Sequence, residues 1–447
     1  MVEVRPFCGW RYDANRVRLS EVVAPPYDVI DTSEQDALYA KSPYNIIRLI
    51  LGKEEQDDTA EYQNKYKRAA SFLDSWTKQG ILIHDDEPSF YLYRQTFLHP
   101  DTKSEVSRVG IFAALKLEDY SARAILPHER THAAPKVDRM NLIRSVKGNL
   151  SPIFGLYEDK EKTLDSLFNS TMKRKADVSF EDEKDMQHEI WLLKDQNTID
   201  QISSFFKTQS VMIADGHHRY ETALAYRNGL RGSGAPSNGL QAVDFVMMVL
   251  VNIYEEGLLV FPTHRLLKLP ALPQWKDKID RQLAPYFGIN GFHAATSGDW
   301  QRYLERDPKE CVVIGLQWGK TKARLLLLRK DEEIRKIVPN GLREVMPAGK
   351  PDAWYHLDVN IVSHLIIQKV LGIRLEKFEE IVSYTRYLDE AVKRVQSGEA
   401  TIGIILRAPD VATVKQVCYS GEVMPQKSTY FYPKLPSGLL LHLHERR

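Results

Sequence analysis

The sequence predicts an α+β protein: a mixed α/β core with further α/β regions toward each terminus. Two observations predict it. Strand-like and helix-like runs follow one another through the middle of the chain, with Val211–Ala214, then His217–Arg227, then Phe245–Val251. The last of these is wholly apolar, as a strand buried on both faces requires. In addition, residues 90–97 and 108–117 read as two strands of a hairpin across the polar turn His99-Pro100-Asp101-Thr102.

The elements follow in order. In residues 1–56, Val22–Val23 and Tyr44–Leu51 read as strands, and Pro25-Pro26 between them forces an extended turn. A helix is predicted from Tyr62, Tyr66, Ala69, Leu73 and Trp76, which recur at steps of three and four before Gly80 stops it. The charged residues 158–190 read as a solvated helical insertion and Ile199–Phe206 as a helix, with a flexible loop at Gly229–Gly239 and a strand at Leu258–Phe261. Further on, 311–317 pairs with 323–329 as strands, and 400–407 with 413–418. Leu357, Ile361 and Leu365 form a helical stripe that Gly372 ends. A length of 447 residues fits about three domains, or two with large insertions. The expected division is 1–119, 120–270 with a charged insertion at about 158–198, and 271–447.

Composition removes several function classes. A hydrophobic fraction of 43% and a charged fraction of 27% are ordinary for a globular chain. A net charge of +1 leaves no excess of Lys and Arg for coating nucleic acid, so a nucleic-acid partner is not expected. Cys8, Cys311 and Cys418 are too few and too scattered for a disulfide framework or a closed zinc site, which points to a reducing, cytoplasmic setting. No run of about 18 apolar residues occurs, so no membrane helix is expected. The opening stretch MVEVRPFCGWRYD lacks the apolar segment of a signal peptide. The sequence is compatible with a homo-oligomer and does not specify one.

The sharpest chemical signal is Asp215-Gly216-His217-His218-Arg219 between the strand 211–214 and the following helix. Unpaired N–H groups and the positive dipole end at a helix start favour a phosphate. Gly216 lets a ligand approach the backbone. Arg219 can grip two phosphate oxygens, and a histidine donates hydrogen bonds or moves a proton. Asp215 could hold a metal ion or orient a histidine, and a plain polar cap on the helix would use it too. Three basic residues at a helix start oppose the dipole unless an anion is present, which favours the phosphate reading.

Other runs carry weaker signals. Pro127-His128-Glu129-Arg130-Thr131-His132 contains HExxH, the pattern of zinc peptidases. Pro127 and Pro135 leave it about two helical turns at most, where that chemistry needs a long helix. Glu129 as a general base outside any zinc site is the better reading, and a charged loop is the plain one. Thr263-His264-Arg265 ends a strand and offers substrate-binding groups together with His128. Lys427-Ser428-Thr429 lacks the preceding glycines of a Walker loop yet carries groups that bind phosphate. Tyr430-Phe431-Tyr432 reads as core packing.

The DGHHR run, after a strand and before a helix, resembles the signature of the ParB/sulfiredoxin superfamily, and is most similar to that of its free L-serine kinases. Pro127-His128-Glu129 resembles the run that carries their catalytic base, and residues 244–263 resemble the strand, acidic-Gly turn and strand that follow. The similarity covers roughly 120–270. The whole chain, with its APPYD, HERT, PTHR and MPQKSTYFYPK runs, also resembles a bacterial and archaeal family of unknown function. The resemblance implies a ParB/sulfiredoxin-like core and a kinase using ATP or ADP with Mg²⁺. Phosphates would lie on Gly216, His217, His218 and Arg219, with Asp215 and His218 in the reaction centre and Glu129 deprotonating the serine hydroxyl. The long insertion between Glu129 and Asp215 departs from that pattern, which puts serine itself in question. A ParB-like nucleotide switch is the alternative. Sulfiredoxin chemistry is not expected, because His217 stands where its cysteine would be.

Overall fold

The computed structural model describes residues 1–59, 63–129, 131, 133–232, 239–269, 275–306 and 311–444. Tyr62, Arg130, His132 and residues 233–238 of the expected loop lie outside the described residues. The chain forms two compact units. The first comprises Met1–Pro127, Thr131–Leu259 and Pro433–Arg447, and the second His128–Arg130 and Val260–Tyr432. Mixed strands and helices build both, so the α+β class holds.

The strands of the first unit are β1 (Val4–Arg5), β2 (Trp10–Tyr12), β3 (Leu82–His84), β4 (Phe90–Leu98), β5 (Glu105–Lys116), β6 (Ile125–Leu126), β7 (Gly148–Asn149), β8 (Ile153–Tyr157), β9 (Val178–Glu181), β10 (Gln187–Leu193), β11 (Val211–Asp215) and β12 (Phe245–Asn252). Nine of them make one sheet in the order β6-β11-β8-β12-β5-β4-β10-β9, with β1 beside β5. The β4–β5 hairpin is antiparallel as the sequence indicated, and every residue of β12 is buried. The expected boundary at 119–120 falls inside this sheet, because β12 pairs with β5 from Phe245 opposite Lys116 to Val251 opposite Gly110.

Helices α1 (Leu19–Val22), α2 (Thr32–Lys41), α3 (Ile47–Ile50), α4 (Lys65–Lys78), α5 (Ala133–Val146), α6 (Asp165–Met172), α7 (Gln196–Phe206) and α8 (His217–Gly232) complete the unit. One core joins Ile111, Ala113, Leu115, Ile153, Met248 and Leu250 of the sheet to Ile202 and Phe206 of α7 and Tyr220 of α8. A second core gathers Trp10, Tyr12, Ile47, Leu73, Trp76 and Leu441.

Four expectations are corrected here. Tyr44–Leu51 is no strand: Ile47–Ile50 is the single-turn helix α3, started by the Asn45 side chain, which accepts from the Ile47 N–H at 2.9 Å. A short apolar run is buried equally well in either form, so its composition did not discriminate. Val22 closes α1 instead of extending a strand, and only Val23 is extended. The charged stretch 158–190 is not a helical insertion. It holds α6 and then β9 and β10, and β10 alternates half-exposed Gln187 and Glu189 with buried His188 and Ile190, the period of two that a strand needs. The expected loop after residue 229 begins later, because α8 runs to Gly232.

In the second unit, Leu259–Phe261, which begins one residue before it, is the strand β13. It is followed by β14 (His264–Leu267), β15 (Phe287–His293), β16 (Val313–Trp318), β17 (Lys322–Leu328), β18 (Val382–Thr385) and β19 (Ile402–Leu406). A six-stranded antiparallel sheet runs β15-β17-β16-β19-β14-β18. The stripe at 357–365 is helical, from Asp358 to Ile361 and on with wider winding through Val370, before Gly372 turns at φ +74°. Residues 413–418 are corrected from strand to helix. Val411–Tyr419 is capped by Asp410 and buries Val414, Val417 and Cys418 at steps of three and one.

Gly315 of β16 tests how tightly this sheet is packed. A methyl group there would come within 2.3 Å of the ring of fully buried Trp300, whose indole N–H is fixed on Gln317 Oε1 at 2.6 Å. Gly315→Ala is therefore expected to cost about 1–3 kcal/mol of overpacking and to lower the melting temperature by several degrees. Thermal unfolding with an unchanged midpoint would show that the Trp300 ring has room to move.

Candidate functional site

The DGHHR turn sits where three chain segments meet at one edge of the large sheet. β6 and β11 run parallel, with Val211 opposite Ile125 and Met212 opposite Leu126, so the chain leaves both strands at that edge. β8 runs antiparallel to β11 and begins there, with Phe154 opposite Asp215 across an irregularity after Ile213. α8 starts one residue past Gly216, and the Tyr220 N–H closes its first turn on the Gly216 carbonyl at 3.0 Å. The helix is held farther along as well. The Tyr220 hydroxyl donates to the Glu118 carbonyl at 2.6 Å, and Arg227 donates to the Leu117 carbonyl at 2.6 Å.

Gly216 adopts φ +96°, the left-handed region that glycine enters without strain. A side chain there would also collide with the Arg219 guanidinium, whose Nε and Nη2 lie 3.0 Å from the position of a Cβ. Arg219 thus folds back over the turn, donating through Nη2 to Asp215 Oδ2 at 2.6 Å and through Nη1 to the Pro152 carbonyl. The other oxygen of Asp215 accepts from the Lys434 ammonium. Burial opposes the charged form of Asp215, yet Lys434 and Arg219 beside it, with His217 nearby, outweigh that and hold its carboxyl well below the usual range. His217 is buried and His218 half-buried. Elsewhere in the first unit, the Arg139 guanidinium lies 3.9 Å from the centre of the Tyr27 ring. Burial raises the Tyr27 hydroxyl, and the charges of Arg139 and Arg219 offset that only in part.

Two expectations meet this geometry directly. Asp215 as a metal ligand does not fit the arrangement, because each of its oxygens already accepts from a cationic side chain. Among the described residues no group of three His, Cys, Asp or Glu is placed to hold a metal ion. Of the HExxH pattern, Arg130 and His132 lie outside the described residues. His128 and Glu129 precede α5, and Glu129 bridges Met424 in an extended pairing.

The second unit gathers the other candidates. The Met424 N–H donates to the His128 carbonyl at 2.8 Å, and Thr429 Oγ1 lies 2.9 Å from His128 Nε2. The Lys427 N–H donates to Glu129 Oε2 at 3.3 Å from a residue at φ +56°, and the Ser428 hydroxyl donates to the Pro425 carbonyl at 2.5 Å. Thr263, His264 and Arg265 are buried at the start of β14, where the sequence allowed a plain surface loop. Arg265 donates to the Thr263 carbonyl at 2.5 Å and weakly to that of Lys427 at 3.5 Å. Burial, with the neighbouring Arg265 charge, pushes His264 down to about 4, so its ring is neutral near pH 7 and its Nδ1 accepts from the Leu406 N–H at 3.2 Å.

Lys434 is the group at the turn that sequence reasoning did not single out. It stood inside a noted run, but nothing in its spacing ties it to Asp215. The chain belongs to the family described as Protein of unknown function (DUF1015), whose model matches residues 4–360. No curated protein matches it. Among solved structures, a conserved hypothetical protein from Pyrococcus furiosus is similar at 16% identity and TM-score 0.33, over 73% of this chain and 93% of that one. Free serine kinase in complex with AMP is similar at 14% identity and TM-score 0.32, over 72% of this chain and 86% of that one. SbnI with a C-terminal truncation, from Staphylococcus aureus, is similar at 10% identity and TM-score 0.34, over 72% and 84%. No helix among the described residues is long and apolar enough to cross a membrane.

Asp215→Asn is expected to destabilise the protein by about 3–5 kcal/mol near pH 7, because two buried cations lose their shared counter-ion. The folded-state carboxyl is held below the unfolded value of about 3.9, so its contribution is whole above that pH and drains as the pH falls further. Urea unfolding of both proteins at pH 7, 5 and 3 checks this. The gap should be equal at the first two values and narrower at the third, and an equally stable Asn variant would contradict the ion cluster.

Proposed function

We propose that the protein is a nucleotide-dependent kinase of small hydroxyl compounds, with a ParB/sulfiredoxin-like core, ATP or ADP as donor and free L-serine as the first acceptor to test. The observation that carries the reading is the turn Asp215–Arg219, where two cationic side chains share one carboxylate at a helix start. Cationic side chains held together in a poorly hydrated place at a helix start complement phosphate oxygens. The turn's resemblance to the DGHHR signature of free L-serine kinases adds the reaction class.

In this reading the N–H groups at the start of α8, with His217, His218 and Arg219, hold the phosphates and offset the charge of the group in transfer. Glu129 takes the proton from the acceptor hydroxyl. The oxygen then forms its bond to phosphorus as the bond to the leaving nucleotide breaks. The Lys427 N–H on Glu129 Oε2 orients that carboxylate. Thr263, His264 and Arg265, with His128, are the candidates for acceptor recognition. Lys427, Ser428 and Thr429 are assigned to shaping the Glu129 turn in addition to any phosphate contact. A cytoplasmic setting belongs to the same reading.

The test is phosphoryl transfer from ATP, and separately from ADP, to a panel of hydroxyl compounds headed by L-serine. O-phosphoserine should form with the native protein and fall by about two orders of magnitude or more in Glu129→Gln, in line with loss of a general base, with nucleotide affinity largely kept. Arg219→Ala should weaken nucleotide binding instead. Normal turnover in Glu129→Gln would refute the base assignment. Nucleotide binding without any phosphorylated acceptor would favour a ParB-like switch.

A further inference from the structure

The chain returns to the first unit at Pro433 and carries a lysine straight into the turn after β11. We propose that Lys434 is a further phosphate-contacting residue of the nucleotide site, supplied from the far end of the sequence. The proposal rests on the phosphate reading of the Asp215–Arg219 turn and adds a second cationic side chain to it.

The charge arrangement argues for it. Lys434 and Asp215 are each 14% exposed at their side chains and Arg219 is 12% exposed, so little water screens the three charges. One carboxylate serves two cations, and its two oxygens are divided between them. Two cations and one carboxylate thus meet at a helix start, and the oxygens of a phosphate complement such a group. The two cations also differ in kind. The guanidinium of Arg219 is a planar fork fixed at the Pro152 carbonyl, suited to two oxygens of one phosphate. The Lys434 ammonium is a compact point charge on a flexible stem, which can share itself between Asp215 and a phosphate oxygen.

The segment bearing Lys434 is ordered independently of Asp215. Fully buried Arg108 donates through Nη2 to the Pro433 carbonyl at 2.8 Å and to Gln95 Oε1 at 2.6 Å. Its guanidinium lies 4.7 Å from the ring centre of Phe154, the residue opposite Asp215 in the ladder. Farther on, Ser437 exchanges backbone hydrogen bonds with Ala24, and Leu441 with Trp10. His442–Leu443 then pairs with β7. Ligand binding therefore has little chain left to order at this point, and the lysine is presented in advance. A lysine serving only as counter-ion to Asp215 would be redundant beside Arg219, which already pairs that carboxylate.

Titration calorimetry of the full chain with adenosine, AMP, ADP and ATP tests the proposal on the native protein, Lys434→Gln and Lys434→Arg. Gln keeps a hydrogen-bond donor for Asp215 but lacks the charge, and thermal unfolding reports whether each variant is folded. Native affinity should rise with the number of phosphates. Lys434→Gln should lose about 10- to 100-fold on ADP or ATP, the range for one charged hydrogen bond, with adenosine unaffected and the rise along the series flattened. Lys434→Arg should retain most of it. A merely structural role would weaken all four ligands alike or none, and either result overturns the proposal. Absence of any nucleotide binding by the native protein would instead refute the phosphate reading beneath it. If Lys434→Gln does not fold, Lys434→Arg decides: it must keep the phosphate-dependent rise.

Discussion

Asp215 is held between Arg219 and Lys434, and much of the first unit is arranged so that this can happen. The carboxylate must sit at the end of a buried strand, which the pairing of β11 with β6 and β8 provides. Arg219 must fold back four residues along α8, which the absence of a side chain at Gly216 permits. The lysine must come from 219 positions away, which the buried Arg108 on the Pro433 carbonyl secures. Each of these is a constraint on backbone path, and the shared ionic contact is where they converge.

The second unit places different chemistry on its own frame. Its antiparallel sheet buries the neutral His264 ring and the Arg265 guanidinium at consecutive positions of β14. The turn at Lys427 receives the Glu129 carboxylate and the His128 ring. In the proposed reading these groups, fixed by backbone carbonyls and N–H groups, recognise and deprotonate the acceptor. The long, charged composition of 158–190 gave no hint that its second half extends the first unit's sheet. There the alternation of buried His188 and Ile190 prevails over the local charge density.

Much of the fold was legible because its signals are local. The hairpin 90–117, the apolar β12 and the strand-turn-helix at 211–227 each announce themselves by periodicity and by residues that stop a strand or start a helix. Failures came where burial alone decided. Ile47, Leu49 and Ile50 are all buried, so the apolar run around them carries no period, and α3 was read as a strand. Residues 413–418 look equally strand-like, although Asp410 before them caps the helix Val411–Tyr419. The DGHHR turn was legible as chemistry, since a helix start rich in basic residues needs an anion to be favourable. Lys434 was not, because only the return of the C-terminal segment into the first unit brings it to Asp215. The two cationic neighbours of Asp215 were hidden for the same reason: a strand-end aspartate looks available for a metal ion until they are known.

The central claim is that the turn at Asp215–Arg219 is built to hold phosphate. A crystal structure of the protein grown with ADP tests it most directly. The account predicts phosphate oxygens on the N–H groups at the start of α8, with the Arg219 guanidinium and the Lys434 ammonium both in contact with them. Nucleotide bound with its phosphates elsewhere, and Asp215 still shared by the same two cations with no anion beside them, would contradict it.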